Sequence, residues 1–329
     1  MDILKVYHNG YCPPIIREIA ATETMQRLKK VSMDCGCDYT SFPIFVGRSP
    51  ADRYSHSLGV ALIVWHFTHD TVQSVAGLLH DIATPAFSHV VDFLNNDHLT
   101  QESTEEKTRE MIASSAEIMA ILNKYDIDID DVYDYHRYSI ADNDTPLLSA
   151  DRLEYTLKNM VRYLDRDIKT IQKYYDDQEV TVNECGEREL GFKHLQTAIR
   201  FSRDALDTCK IYSSDPDRYI MEFLAGILKK GEEKGILEVS DLYKDEPHVI
   251  EILEKDEETS VLWNRLKGFS EVHVSDVKED RDYLKIPAKK RYIDPLIINK
   301  GRCSKMDRNF GKAVNEYLKS DFDYYVKAQ

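Results

Sequence analysis

Residues 76–92 read AGLLHDIATPAFSHVVD, and this stretch decides how the rest of the chain is read. It sets His80 beside Asp81 at the end of an apolar run, with His89 and Asp92 a few residues on. An adjacent His-Asp pair at a helix end offers one imidazole nitrogen and one carboxylate oxygen to a single point. Those are donors that first-row transition metals accept. Pro85 forbids simple continuation of the helix that carries the pair, because it removes a backbone donor and clashes with the preceding turn. The spacing therefore predicts one helix over about Thr71–His80 and a second from about Phe87 to Leu94.

Immediately upstream, RYSHSLGVALIVWHF (53–67) is apolar around its whole circumference from Leu58 to Trp65. A helix of that kind is buried on all sides. His56 lies in its first turn, and Arg53, three residues earlier, shares its face. Downstream, PLLSADRLEYTLKNMVRYL (146–164) begins with a proline suited to a first helical turn. Leu147, Leu148, Asp151 and Tyr155 fall on one face of it. A carboxylate on an otherwise apolar face is costly to bury unless it is paired or ligating.

The remaining chain supplies scaffolding. Ile3–Tyr7 looks strand-like, and IIREIAATETMQRLKKV (15–31) has apolar spacings of three and four that predict a helix. Residues 33–54 lack a helical period and read as loop, with an extended piece near Phe42–Val46. A helix over about Thr104–Tyr125 has Thr104 as its cap and Glu105 and Glu106 in its first turn. The acidic run Asp126–Asp134 lacks the glycine and terminal glutamate of a calcium loop and reads as a solvated face. His66 and His69 read as structural. Thr181–Gly186 suggests a hairpin, 190–230 is helical, and alternation over Phe269–Val277 and Tyr283–Ile298 predicts strands. Helix resumes near Lys305–Leu318. The expected fold class is mainly α, a helical body of about 1–230 followed by a smaller α+β region of 231–329.

Composition narrows the function. Apolar residues make up 42% of 329, enough for a real core, and the formal net charge of −15 repels a phosphate backbone, so bulk nucleic-acid binding is disfavoured. A local basic pocket for one small phosphorylated ligand remains compatible with that charge. Six cysteines at 12, 35, 37, 185, 209 and 303 show no CxxC pair and read as free thiols in a reducing, cytoplasmic setting. The N-terminus MDILKVYHNG carries no long apolar segment, and no run of 18 apolar residues exists, so neither a signal peptide nor a membrane span is expected.

Two imidazoles and two carboxylates, His56, His80, Asp81 and Asp151, thus make a candidate site for one divalent transition metal (Mn, Fe, Ni, Co or Zn) with open positions. The order H…HD…D, in the local forms RYSHSLGV, GLLHDIATPAFSHVVD and ADRLEY, resembles the HD superfamily of metal-dependent phosphohydrolases. Within it the likeness is greatest to the deoxynucleoside triphosphate triphosphohydrolase-like branch. The resemblance covers about residues 20–165, with a motif core of about 50–165, and KKRYIDPLI (289–297) resembles the C-terminal part of such proteins. It implies an HD-domain helical bundle, a phosphohydrolase acting on a nucleotide or other small phosphate ester, and a homo-oligomer. It further implies His56, His80, Asp81 and Asp151 as metal ligands and Arg53 as a phosphate contact. Tyr155 and Gln26 would lie near a sugar, Arg152 would reach a phosphate, and His89 and Asp92 would be catalytic.

The chain departs from the pattern twice. Thr84 stands where relatives often carry a second histidine, and in TQESTEEK (100–107) Thr104 or Glu105 stands where a catalytic histidine is expected, with His98 offset nearby. These departures open a second reading: a regulatory protein that holds metal and nucleotide without turnover.

Overall fold

The computed structural model describes residues 3–7, 11–91 and 107–329. Asp92, His98, Thr104 and Glu105 lie outside the described residues.

The fold is mainly α, with small sheets in its second half. Its centre is the Arg53–Thr68 helix. Asp52 caps it by accepting from Ser55 N at 2.7 Å, and it stops where His69 turns left-handed (φ 52°). One residue later Asp70 caps the Thr71–Leu79 helix through Val72 N (2.9 Å) and Gln73 N (3.1 Å). The two form a hairpin whose close approach depends on Gly77, where a Cβ would sit 3.2 Å from Val60 Cγ1. The Ala150–Leu164 helix, capped by Ser149, completes the trio.

Four short strands flank this body in the order β1-β2-β4-β5. β1 (Gln178–Val182) and β2 (Arg188–Phe192) form the antiparallel hairpin that the sequence suggested. β2 then pairs in parallel with β4 (Leu296–Ile297), and β4 pairs antiparallel with β5 (Gly301–Arg302). A separate ladder joins β3 (Val272–Ser275) to β6 (Tyr325–Ala328).

Several expectations are corrected. Ile3–Tyr7 is not a strand: Leu4–Tyr7 is a helical turn that buries Val6 and Tyr7. Residues 43–47 form turns rather than an extended piece. The Thr104–Tyr125 helix is, among the described residues, two helices, Thr108–Ser114 and Ala116–Lys124. Ser115 adopts extended backbone between them and caps the second through Ile118 N. Of the strand expected over Tyr283–Ile298 only Leu296–Ile297 is a ladder strand. Pro287 and Pro295 cannot donate to a sheet, and residues 287–291 run along a cavity instead.

Two hydrophobic cores hold the chain together. The first gathers Ile63, Leu79, Leu157 and Phe201 with Ile297, Phe310 and Val314. The second gathers Cys37, Phe42, Phe87 and Val90 with Leu224, Leu253, Trp263 and Val326. Both draw on either side of residue 230.

Candidate metal centre

Three helices bring their polar residues to one point. His56 comes from the first turn of Arg53–Thr68, His80 from the end of Thr71–Leu79, and Asp151 from the first turn of Ala150–Leu164. Among the described residues, ligand atoms of His56, His80 and Asp151 form a group that lies within 4.8 Å of one another and could hold a cation. Asp81 joins its edge: Oδ2 is 3.5 Å from His80 Nε2 and 3.8 Å from His56 Nε2.

Each imidazole is held from behind. His80 Nδ1 donates to Gly77 O at 2.8 Å, which aims Nε2 at the group. That Nε2 is buried and makes no hydrogen bond, with carboxylate oxygens of Asp81 and Asp151 at 3.5 and 3.9 Å. A buried nitrogen without a partner is costly, and a cation between it and the two carboxylates removes that cost. The donor set of two imidazoles and two carboxylates therefore fits a divalent transition metal. His56 Nδ1 donates to Glu154 Oε2 at 2.6 Å, and its Nε2 is 3.0 Å from Asp151 Oδ1. Glu154 is fully buried and is balanced by Lys158 Nζ at 2.9 Å. Glu154 fits because residue 59 is glycine: a Cβ there would lie 2.6 Å from Glu154 Cγ.

Without a cation the cluster balances its charge with a proton, the one His56 Nε2 shares with Asp151, and a bound metal would have to displace it. Burial alone would lower the pKa of His56, but the Asp151 and Glu154 carboxylates more than offset it and raise it to about 9. Burial would raise Asp81, yet Arg53, with His80 and His56, holds it well below the usual carboxylate range. Asp151 is likewise lowered, against burial, by His56 and His80. Both carboxylates are ionised and ready for a cation.

Arg53 is committed to Asp81. Its Nη1 donates to both oxygens, at 3.2 and 3.0 Å, and its Nε donates to Ser88 Oγ at 3.1 Å. Thr84 donates to Asp81 Oδ1 at 2.8 Å, so this side chain steadies a carboxylate of the group. Phe87 and Ser88 are both left-handed (φ 62° and 52°), which turns the chain so that Ser88 Oγ reaches Arg53 and Ser32 O.

The group sits on the wall of a cavity of about 710 Å³. Arg53, His89, Arg152 and Tyr155 line it, as does the 287–291 segment with Lys289 and Arg291. Arg152 is anchored to Leu147 O (2.8 Å) and Asn143 Oδ1 (2.6 Å). Tyr155 stands 6.5 Å from the His56 ring, centroid to centroid. Gln26 is the exception. Its amide donates to Ala20 O at 2.6 Å, tying two short helices together, and it is not on the cavity wall. That is a correction to the expected sugar contact. Sequence reasoning gave no role to Glu154, although it lies three residues after Asp151 on one helical face. It also passed over His136, Asp142 and Asp217, which reach the wall from loops or a distant helix where no periodicity marks them.

No family model matches the chain. It is 26% identical over 332 residues to the uncharacterized protein YdhJ of Bacillus subtilis, covering 98% of this chain and 97% of that one. It is 25% identical over 237 residues to a protein of Cordyceps militaris named metal-dependent phosphohydrolase cns2, covering 69% of this chain and 66% of that one. A solved structure of a hypothetical protein from Aquifex aeolicus shares the fold, with a TM-score of 0.64 at 16% identity over 96% of this chain and 93% of that one. The chain thus has a distant relative named as a metal-dependent phosphohydrolase, and it carries a His/His/Asp group able to hold a metal. Among the described residues no helix is long and apolar enough to cross a membrane.

Proposed function

We propose that this chain is an HD-type metal-dependent phosphohydrolase that cleaves a small phosphate ester, with nucleotides as the favoured class. The observation that carries the reading is His80 Nε2, buried and without a hydrogen bond, facing His56 Nε2, Asp81 and Asp151 on the wall of a ligand-sized cavity. In this reading His56, His80, Asp81 and Asp151 hold one divalent cation. Such a cation supplies Lewis acidity toward a phosphoryl oxygen and toward water.

The chain's own residues do the rest. Glu154 and Gly77 O fix the two imidazole rings so that each Nε2 points inward. Arg53, whose Nη1 lies on Asp81 at the edge of the group, would present its planar fork to a phosphate oxygen. Arg152, Lys289 and Arg291 bring cationic side chains to the cavity lining of an otherwise acidic protein. Tyr155 and Tyr212, 6.2 Å apart by ring centroid, offer apolar faces to the group beyond the phosphate. His89 lines the same cavity and is a candidate to move a proton. The volume is in the range of ordinary small-molecule sites.

The test loads purified protein with Mn, Fe, Ni, Co or Zn in turn. Each form is offered deoxynucleoside triphosphates, nucleoside triphosphates, nucleoside monophosphates and p-nitrophenyl phosphate. The expected result is metal-dependent release of phosphate or triphosphate that falls at least a hundredfold in His80→Ala and Asp151→Asn. Thr84, spent on Asp81, favours a second reading in which nucleotide binds and is not turned over. Tight nucleotide binding with no hydrolysis in any metal form would establish that reading instead.

A further inference from the structure

We propose that Ser88 is a positioning residue of this site: its hydroxyl holds the Arg53 guanidinium in place for a phosphoryl oxygen. The proposal rests on the phosphohydrolase reading above and adds what aims the arginine. Arginine carries its charge on a long flexible stem, and a guanidinium that is not held must be ordered when the ligand arrives, at a cost in affinity and rate. A side chain that orders it beforehand removes that cost.

The guanidinium is held at two of its three nitrogens. Nε donates to Ser88 Oγ at 3.1 Å, and Nη1 donates to both oxygens of Asp81, at 3.2 and 3.0 Å. Nη2 makes no hydrogen bond or ion pair among the described residues, and Arg53 lines the cavity. Because the fork is planar and rigid, fixing Nε and Nη1 also fixes Nη2. Asp81 alone would not achieve this, since one nitrogen on a carboxylate leaves the plane free to swing about that contact. Asp81 is also a candidate ligand, so a cation competes for its oxygens. Ser88 lies outside the donor set and is the anchor without that second claim on it.

Ser88 is itself fixed. It is fully buried, and its Oγ donates to Ser32 O at 2.8 Å, which leaves lone pairs on that oxygen to accept from Arg53. The turn that carries it is fastened by the second half of the chain. Ala86 N donates to Leu242 O at 2.7 Å, and Phe87 N to Glu246 Oε1 at 3.3 Å. Ser32 N donates to the same Glu246 oxygen at 2.7 Å, so one buried carboxylate pins both the turn and the residue that orients the hydroxyl. Phe87 and Ser88 have φ of 62° and 52°, a conformation that is costly for residues with side chains and that gathers at functional sites. A buried serine on a backbone carbonyl is ordinary. One that also accepts from an arginine on the cavity wall, at the end of a strained turn, is not.

The test separates the hydroxyl from the backbone. Ser88→Ala removes the hydroxyl, and Ser88→Gly removes it while suiting the left-handed φ, so the turn is kept. Both variants, loaded with Mn²⁺, are expected to lose about a hundredfold in kcat/KM on p-nitrophenyl phosphate. Binding of inorganic phosphate to the Mn²⁺-loaded protein, followed by calorimetry, should weaken about tenfold or more in both. Mn²⁺ affinity, followed by the EPR signal of free Mn²⁺, should be unchanged. Arg53→Lys keeps a positive charge beside Asp81 but has no guanidinium Nε, so adding Ser88→Ala to Arg53→Lys should cost little beyond Arg53→Lys alone. Full activity in Ser88→Gly, losses that add across the two positions, unweakened phosphate binding, or loss of Mn²⁺ binding would overturn the assignment while leaving the phosphohydrolase reading in place. No turnover of p-nitrophenyl phosphate or of a nucleotide by the wild-type protein in any metal would overturn both.

Discussion

Glu154 shows how much of the site rests on single atoms. A buried carboxylate behind His56 fixes the ring's tautomer, and its own charge is met by Lys158. Residue 59 must have no Cβ for this to fit. Gly59→Ala should therefore weaken Mn²⁺ binding about 10–100-fold, the usual effect of disturbing a ligand's hydrogen-bond partner. Because alanine favours the helix over glycine, far-UV circular dichroism should keep its full helical signal. An unchanged Mn²⁺ titration in Gly59→Ala would show that Glu154 is packing, not support. The motif ADRLEY contains Glu154 in plain view, but nothing in its spacing says which residue stands behind the histidine.

Between elements, Glu246 is the fastening. It lies in the first turn of the Glu246–Lys255 helix, yet its carboxylate accepts from Ser32 N (2.7 Å), Tyr39 OH (2.7 Å) and Phe87 N (3.3 Å). It thus joins the loop before the Arg53 helix to the left-handed turn after His80. Burial, and secondarily Asp38, raises its pKa from the ordinary 4.5 to about 7. The fold therefore favours the protonated form. Its contribution to stability is complete below about pH 4.5 and is lost as pH rises through about 7. Urea midpoints measured from pH 5 to 8 should fall with pH, and less steeply in Glu246→Gln than in the wild type. Identical slopes would mean that Glu246 does not titrate in this range. Asp38, raised to about 6 by burial and by Asp34, acts in the same direction, so the difference between the two proteins isolates Glu246. The Arg53–Thr68 and Thr71–Leu79 helices, formed by local rules, were legible in the chain, whereas the third begins at Ala150 and not at the expected Pro146. The prolines of residues 283–298 had instead to be weighed against alternation, and alternation misled.

Over the whole molecule, the two cores cross the chain rather than divide it. Leu224 and Tyr219 pack with Leu253, Trp263 and Val326, while Ile297 and Phe310 pack with the helices of the first two hundred residues. β2 pairs with β4 across residue 230. A fragment ending at residue 230 would expose both torn faces, each far larger in apolar area than a soluble surface tolerates. It should aggregate or bind a hydrophobic dye strongly, and its near-UV circular dichroism should be lost. A fragment with sharp, cooperative unfolding would contradict the interleaved cores. The same crossing brings Lys289 and Arg291 to the cavity, so the far end of the chain helps to build the site.

The sequence by itself determined the helical class of the body, through apolar period and the proline stop at Pro85, and the identity and order of the four metal-binding candidates, because donor chemistry is written in residue type. Only the tertiary structure decided that three helices converge within 4.8 Å, and that Arg53 leans on Asp81 while Gln26 stays away. It also decided that Glu154 stands behind His56 and that His136 and Asp142 pair on the cavity wall. The physical reason is range. Periodicity and capping are set by neighbours a few residues apart, whereas a site is made by contacts between residues tens to hundreds of positions apart, which no local pattern records.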